Sequence, residues 1–337
     1  MFLDPSISPA CHAKTLSVSC SDVVTVADAQ AGGWIEGFSH VLHLKVDHLY
    51  GDGSAVSLLV FRGFSPILKS LHLNFAPLSP SQIFDFILSF PLLEDLTASL
   101  REGSVYDGDG SDGPSPAIQS SNLPRFTGSL ELPGEGITPI SRRLLSLPGG
   151  IHFRKLTLRL SKAEDFSLTM ALVEGCSHTL ESLDITYAAR CTSICVWVRV
   201  SSSIMFLVEL GSISFNLSKA TKLRDAVFRL GSLTVEWVTM VLQAITPKHQ
   251  DLEHISIYMP SYMLPPVRPG VRITHTVEGI VGQWLDLDRL LVQFSESRSI
   301  RLRVICGMLG KYEQNTKHSI GCLLPVAAGG GMIDVVE

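Results

Sequence analysis

The leucine spacing between Phe64 and Leu100 constrains this chain more than any other feature. Leu68, Leu71 and Leu73 stand in the order L-x-x-L-x-L, and the frame returns as Leu93, Leu96 and Ala98. Between them lies S-P-S-Q-I-F-D-F-I-L-S-F, whose apolar residues recur at helical spacing. A strand that buries alternate residues and a helix that buries one stripe cannot complete a core alone. Each unit needs a neighbour stacked against it.

The frame recurs along most of the chain. Its middle positions are Leu44, Leu71, Leu96, Leu130, Leu156, Leu183, Ala226, Ile255 and Leu290, with intervals from 25 residues (Leu71 to Leu96) to 43 (Leu183 to Ala226). Leucine-rich repeats have periods of roughly 20 to 29 residues. The expected fold is α/β, a leucine-rich-repeat-like solenoid of irregular right-handed β-α repeats with a parallel sheet on its concave face. The Asn or Cys that would follow each frame is replaced by Ala76, Arg101, Ser161, Ala188 and Pro260. Each turn must then satisfy its own amide groups, and the arc should be distorted.

Residues 1–33 show no sustained period and read as a poorly ordered lead-in, residues 34–305 as the repeat domain, and residues 306–337 as a loose tail with Gly329-Gly330-Gly331. A helix capped by Ser79 or Ser81 should bury Ile83, Phe84, Ile87 and Leu88 and stop before Pro91. Further helices are expected over Pro139 to Leu147, Asp165 to Cys176 (burying Phe166, Met170 and Val173), Val235 to Ile245 and Thr276 to Leu285. Leu287, Leu290 and Val292 read as the next frame, and Ile300, Leu302 and Val304 as the closing one. Two stretches break the rhythm. Residues 102–122 are polar and Gly/Pro-rich, a surface insertion. Residues 188–214 fit either an added hairpin, from the alternation of Val196, Val198 and Val200 with Ile204, Phe206 and Val208, or a poorly fitting insertion.

Charged residues are 18% of the chain, below the ~25% usual for soluble domains. Some apolar area is therefore left over for a partner. The formal net charge of −5 argues against a general grip on nucleic acid. Met1 to Pro5 lacks a basic start followed by an apolar run, so no secretory signal is expected. No apolar run spans a membrane, since Arg199 and Ser201 to Ser203 interrupt the best candidate, Ile194 to Leu210. Seven scattered cysteines fit reduced thiols in the cytoplasm or nucleus.

Signs of enzyme chemistry are thin. Asp107, Asp109 and Ser111 occupy the first ligand positions of a calcium loop, but Asp112 stands where Gly is needed and Ile118 where a bidentate Glu is needed. They read as a solvated acidic loop. Cys191 and Cys195 have no second pair at zinc spacing. His12, His40, His178, His249 and His275 lie apart from any nucleophile motif. No catalytic residue, metal or cofactor is expected; an enzyme of unknown class, its groups brought together only by folding, is the less favoured alternative. Arg298, Arg301 and Arg303 read as the outward face of a terminal strand.

Alternation along strands points to a better site. If the leucines of each frame point inward, Ser70, His72 and Asn74 point outward, as do Asp95, Thr97 and Ser99. Lys155, Thr157 and Arg159 join them, then Ser182, Asp184 and Thr186, then His254, Ser256 and Tyr258. Together they would form one surface suited to a protein partner.

Four phrases add a resemblance. F-R-G-F-S-P-I-L-K-S-L, F-P-L-L-E-D-L, R-R-L-L-S-L-P-G-G-I-H-F-R-K-L-T-L and L-V-E-G-C-S-H-T-L-E-S-L-D-I are similar to the repeat region of the fungal F-box and leucine-rich-repeat-like family. The resemblance covers roughly Trp34 to Val304 apart from the insertions. It implies a solenoid that recognises protein substrates, in some members for a cullin-type ubiquitin ligase with its adaptor. The first 40 residues carry no L-P-x-E start of an F-box.

Overall fold

A computed structural model describes residues 12–19, 38, 40–47, 61–64, 66–76, 80–100, 123–133, 137–160, 164–187, 217–230, 239, 242–246, 248–260, 282, 284–293, 301–307 and 321–336. The chain divides into two compact units, Met1–Arg159 and Leu160–Glu337. The fold is α/β with parallel strands.

In the first unit the strands are β1 (Thr15–Ser19), β2 (His43–Asp47), β3 (Ser70–Ala76), β4 (Asp95–Leu100), β5 (Ser129–Leu132) and β6 (Lys155–Leu160), the last ending one residue past the division. Each pairs in parallel with the strand before it. Parallel neighbours require a crossover between them. A 3-10 turn (Phe61–Phe64) lies between β2 and β3, and helices Pro80–Leu88 and Ile137–Leu145 lie before β4 and β6.

Register turns the leucine frame into columns. Leu16, Leu44, Leu71, Leu96, Leu130 and Leu156 are successive partners across the six strands. All from Leu44 onward are buried. Each buried leucine contributes roughly 1.5–3 kcal/mol relative to an exposed one, so the column is a main source of the unit's stability. Val46, Leu73 and Ala98 form a second column beside it.

The Pro80–Leu88 helix begins at proline, whose missing N–H costs nothing in a first turn. It buries Ile83, Phe84, Phe86 and Ile87, whereas Leu88 is only half-buried. The stripe swings toward the turn because Phe86 packs edge-on against Phe90, ring centroids 4.9 Å apart at 90°. Arg143 Nη2 donates to Ser81 Oγ at 3.2 Å, tying this helix to the Ile137–Leu145 helix.

The turns that enter β3 and β4 are closed by backbone hydrogen bonds. Leu68 N–H donates to the Phe64 carbonyl and Leu93 N–H to that of Phe90. The backbone ladder then starts one residue before each strand, from Leu42 to Lys14, Lys69 to Leu42, Glu94 to Lys69, Gly128 to Glu94 and Arg154 to Gly128. Gly128 has no room for a side chain, because a methyl there would collide with the Asp95 carboxylate and approach the Glu94 carbonyl.

In the second unit the strands are β7 (Ser182–Tyr187), β8 (Asp225–Leu230), β9 (His254–Pro260), β10 (Arg301–Gly307) and β11 (Ile333–Val336), again parallel and paired in chain order. Leu183, Ala226, Ile255 and Leu302 are successive partners, as are Ile185, Phe228, Ile257, Val304 and Ile333. The Glu164–Gly175 helix precedes β7. It buries Phe166, Thr169, Leu172 and Val173, while Met170 lies half-buried at the edge of that stripe. His249 is buried, with Nε2 2.8 Å from the Leu217 carbonyl and Nδ1 3.1 Å from the Thr246 backbone nitrogen. It pins a turn.

Two expectations are corrected and a third is refined: within the 1–33 lead-in, expected to be poorly ordered, Thr15–Ser19 pairs residue for residue with His43–Asp47. Five alternating residues are enough for a strand but too few for a visible period. The 306–337 tail was expected to be loose, yet it carries the Pro325–Gly329 helix and β11, so Arg301 and Arg303 do not lie on a terminal strand. Leu287, Leu290 and Val292 are no strand frame. Residues 284–293 are helical and bury Trp284, Leu287, Asp288 and Leu291, spacings of three and four that mark one helix face.

The insertions at 102–122 and 188–214, the acidic loop from Asp107 to Asp112, Cys191, Cys195 and most of the helices expected at Val235 to Ile245 and Thr276 to Leu285 lie outside the described residues. Among the described residues no helix is long and apolar enough to cross a membrane. Cys176 is a buried free thiol and Cys322 an exposed one.

Candidate functional site

The residues between the buried columns emerge on the opposite side of each sheet, as the two-residue period of a strand demands. In the first unit Ser70, His72, Asn74, Asp95, Thr97 and Thr157 are half-buried, and Lys155 and Arg159 are exposed. Register arranges them in rows across the strands. One row reads Lys45, His72, Thr97, Glu131 and Thr157, and a second Asp47, Asn74 and Ser99.

Asp47 is the hub of this face. Its Oδ2 lies 2.9 Å from Lys45 Nζ, while its Oδ1 accepts from Asn74 Nδ2 at 3.3 Å and lies 3.8 Å from His72 Nε2. Partial burial pushes the Asp47 carboxyl up, but the hydrogen bonds from Lys45 and Asn74 and the lysine charge outweigh it and hold the group below its ordinary 3.8. Burial pushes His72 below its ordinary 6.5, opposed by the charge of Asp47. Farther along, Thr97 Oγ1 donates to Glu131 Oε2 at 3.4 Å. Asp95 Oδ1 accepts both the backbone N–H and the hydroxyl of Ser129, at 2.6 and 2.7 Å, which fixes the start of β5.

Ser99 departs from the expectation. It is buried, and its hydroxyl donates to the Pro133 carbonyl at 3.1 Å. It holds a strand end rather than facing solvent. The register shift between Asn74 and Ala76 marks where the regular ladder ends.

In the second unit Ser182, Asp184, Thr186, His254, Ser256 and Tyr258 are all half-buried on one side of the sheet. Arg229 organises them. Its guanidinium meets the Asp184 carboxylate at 3.2 to 3.4 Å, and its Cζ lies 4.2 Å from the centroid of the Tyr258 ring. A guanidinium suits both contacts, being a planar fork for carboxylate and a weakly hydrated cation for an aromatic face. His254 Nδ1 lies 3.0 Å from Asp225 Oδ1. Arg301 and Arg303 are exposed beside His254 and Ser256 respectively.

Lys45, Asp47, Glu131, Asp225 and Arg229 were missed as site residues in the sequence, although the same alternation places them. They are the outward positions of β2, β5 and β8, between the frame residues of those strands. Among the described residues no three His, Cys, Asp or Glu side chains converge as a metal would require. Both faces offer hydroxyls, carboxylates and guanidinium groups for hydrogen bonding. Comparison with protein-family models and with curated protein sequences gives no match.

Proposed function

We propose that the chain is a leucine-rich-repeat-like solenoid that serves as a non-enzymatic scaffold for recognising a protein partner. The observation that carries this reading is the pairing of an unbroken leucine column with outward polar rows in the same strands, from Leu44 to Leu156 on one side and from Lys45 to Thr157 on the other. Repeats that bury one side of every strand leave the other side as an extended surface, and such surfaces are used for docking. The polar rows mix charge, hydroxyl and aromatic groups, the composition of a protein interface rim with an anchor. The same reading puts the protein in the cytoplasm or nucleus.

A narrower form makes the chain the substrate-recognition subunit of a cullin-type ubiquitin ligase, supported by the resemblance of the four phrases to the F-box family. Capture of partners by the full chain tests both. The expected result is a partner retained by the native chain and lost with Thr157→Arg in the first unit or Ser256→Arg in the second. A partner set indifferent to both substitutions would sink the scaffold reading. Recovery of the cullin adaptor in the captured set would select the narrower form.

A further inference from the structure

We propose that one corner of the first unit, the exposed Leu92 bordered by Arg125, Arg154 and Lys155 where β4, β5 and β6 begin, docks an acidic segment of the partner protein that carries one large apolar side chain among its carboxylates. The inference rests on the recognition reading above and names where the partner is held and by what chemistry.

Packing builds the corner. The Phe126 N–H donates to the Leu93 carbonyl at 3.3 Å, and the Arg154 and Lys155 N–H groups donate to the Gly128 carbonyl at 2.8 and 3.2 Å. Leu92 and Arg125 therefore leave adjoining stretches of backbone, with Arg154 and Lys155 one strand further along. The rings of Phe126 and Phe153, both wholly buried, pack with centroids 5.3 Å apart, and each is next in sequence to one of the two arginines. Phe126 has φ 42°, the one positive value outside glycine among the described residues. A bulky residue holds that left-handed region only where its surroundings dictate it. The base of Arg125 is thus fixed before a partner arrives, and groups fixed in advance lose less freedom on binding.

Charge favours an acidic occupant. Arg125, Arg154 and Lys155 are exposed and form no ion pair with any described residue. The acids beside them at the start of β4 are committed, Glu94 to Lys69 at 3.0 Å and Asp95 to the N–H and hydroxyl of Ser129. The other described acids of the unit are Asp47, held by Lys45 and Asn74, Glu131, which accepts from Thr97, and Asp85 on the Pro80–Leu88 helix. Against these five the described residues of the unit carry twice as many lysines and arginines, on a chain whose formal net charge is −5. A local reversal of sign steers an acidic partner toward this unit.

Leu92 narrows the class of partner. It is 49% exposed, one of two large apolar side chains so exposed among the described residues. An apolar centre with a polar border is the build of a protein interface. Single-stranded nucleic acid is held by aromatic rings on which bases stack, whereas Phe126 and Phe153 are wholly buried. Surfaces that hold anionic lipid gather about four to eight cations, more than the three unpaired ones of this corner.

Fluorescence anisotropy with the full chain tests the proposal. The probe is a labelled Ser-Asp-Glu-Leu-Glu-Asp-Ser peptide, compared with Ser-Asn-Gln-Leu-Gln-Asn-Ser, with Ser-Asp-Glu-Ser-Glu-Asp-Ser and with single-stranded oligouridine; sedimentation with phosphatidylserine vesicles adds the lipid arm. The first peptide should bind, weakening as salt is raised, and the uncharged one should not. Arg125→Glu with Arg154→Glu should weaken binding by about tenfold or more, through the loss of charge-assisted contacts. Leu92→Ser, or serine in place of the peptide's leucine, should weaken it by about fivefold. Reversal of Arg62 and Arg142 to Glu, exposed on the Phe61–Phe64 turn and the Ile137–Leu145 helix, changes the net charge equally and should leave binding nearly as it was. If the Arg125 and Arg154 reversal does not fold, Arg125→Gln with Arg154→Gln gives the same readout. No binding of the acidic peptide, equal loss from the two reversals, or tighter binding of oligouridine or vesicles would each overturn the proposal. Full recovery of a captured protein partner by the chain reversed at Arg125 and Arg154 would also overturn it while leaving the recognition reading intact. A native chain that binds the peptide as described yet captures no protein would support the corner and count against that broader reading.

Discussion

The carboxylate of Asp288 accepts the backbone N–H of Ala327 at 2.8 Å and that of Val326 at 3.0 Å. The first N–H groups of a helix have no partner within it, and Leu324, at the start of the Pro325–Gly329 helix, gives no side-chain cap. Asp288, itself buried, supplies one from 39 residues away. Asp288→Ala should cost about 2 to 4 kcal/mol, for two charge-assisted bonds lost and two donors left unpaired. Chemical denaturation of the full chain measures the loss, and faster hydrogen exchange at Val326 and Ala327 would locate it. Unchanged exchange there would refute the cap.

The two sides of β6 should respond differently to truncation. Leu156 is wholly buried in the leucine column, so Leu156→Ala should cost ~2 to 5 kcal/mol. Thr157, its neighbour in sequence, faces the polar row, and Thr157→Ala should stay within about 0.5 kcal/mol of neutral. Equal losses in denaturant midpoint would contradict the inside and outside assignment.

Gly128 is predicted to be intolerant of alanine. The added methyl would meet Asp95 Oδ1, which also holds the Ser129 N–H and hydroxyl, and would crowd the Glu94 carbonyl. Gly128→Ala should destabilise by about 1 to 3 kcal/mol, the usual range for overpacking. A melting temperature equal to that of the native chain would show that the strand start yields freely.

Stability should fall with acid in two stages on the first unit. The folded value of His72 is depressed, so the folded state binds fewer protons than the unfolded one as pH drops below 6.5, and its contribution is lost from there downward. Asp47 is depressed as well, and its contribution is lost as pH falls below 3.8 and through its folded value. His72→Gln should flatten the first stage and leave the second. A pH profile of urea midpoints unchanged by His72→Gln would disprove the assignment.

Much of this could be read from residues alone because it depends on local periods. The leucine frame from Leu44 to Ile257 specifies which side of each strand is buried, and the hydrophobic effect enforces it wherever a neighbour stacks. The outward placement of His72, Thr157 and Tyr258 follows from that alternation without further information.

What alternation does not carry is lateral order and length. Leu287, Leu290 and Val292 satisfy the strand frame, but Trp284 and Leu291 complete a helix stripe, and only the packing of that stripe decides between them. Thr15–Ser19 and Ile333–Val336 are too short to announce themselves; each becomes a strand because a neighbouring strand offers it a ladder of backbone hydrogen bonds. The bond from Asn74 to Asp47, the Arg229 stack on Tyr258 and the reach of Asp288 to Ala327 join residues 27 to 39 positions apart. By itself the sequence determined an inward and an outward side for each strand whose frame it showed, because side-chain alternation is local chemistry. Which outward groups meet was decided only by tertiary register, since cross-strand distances exist only once the strands are paired.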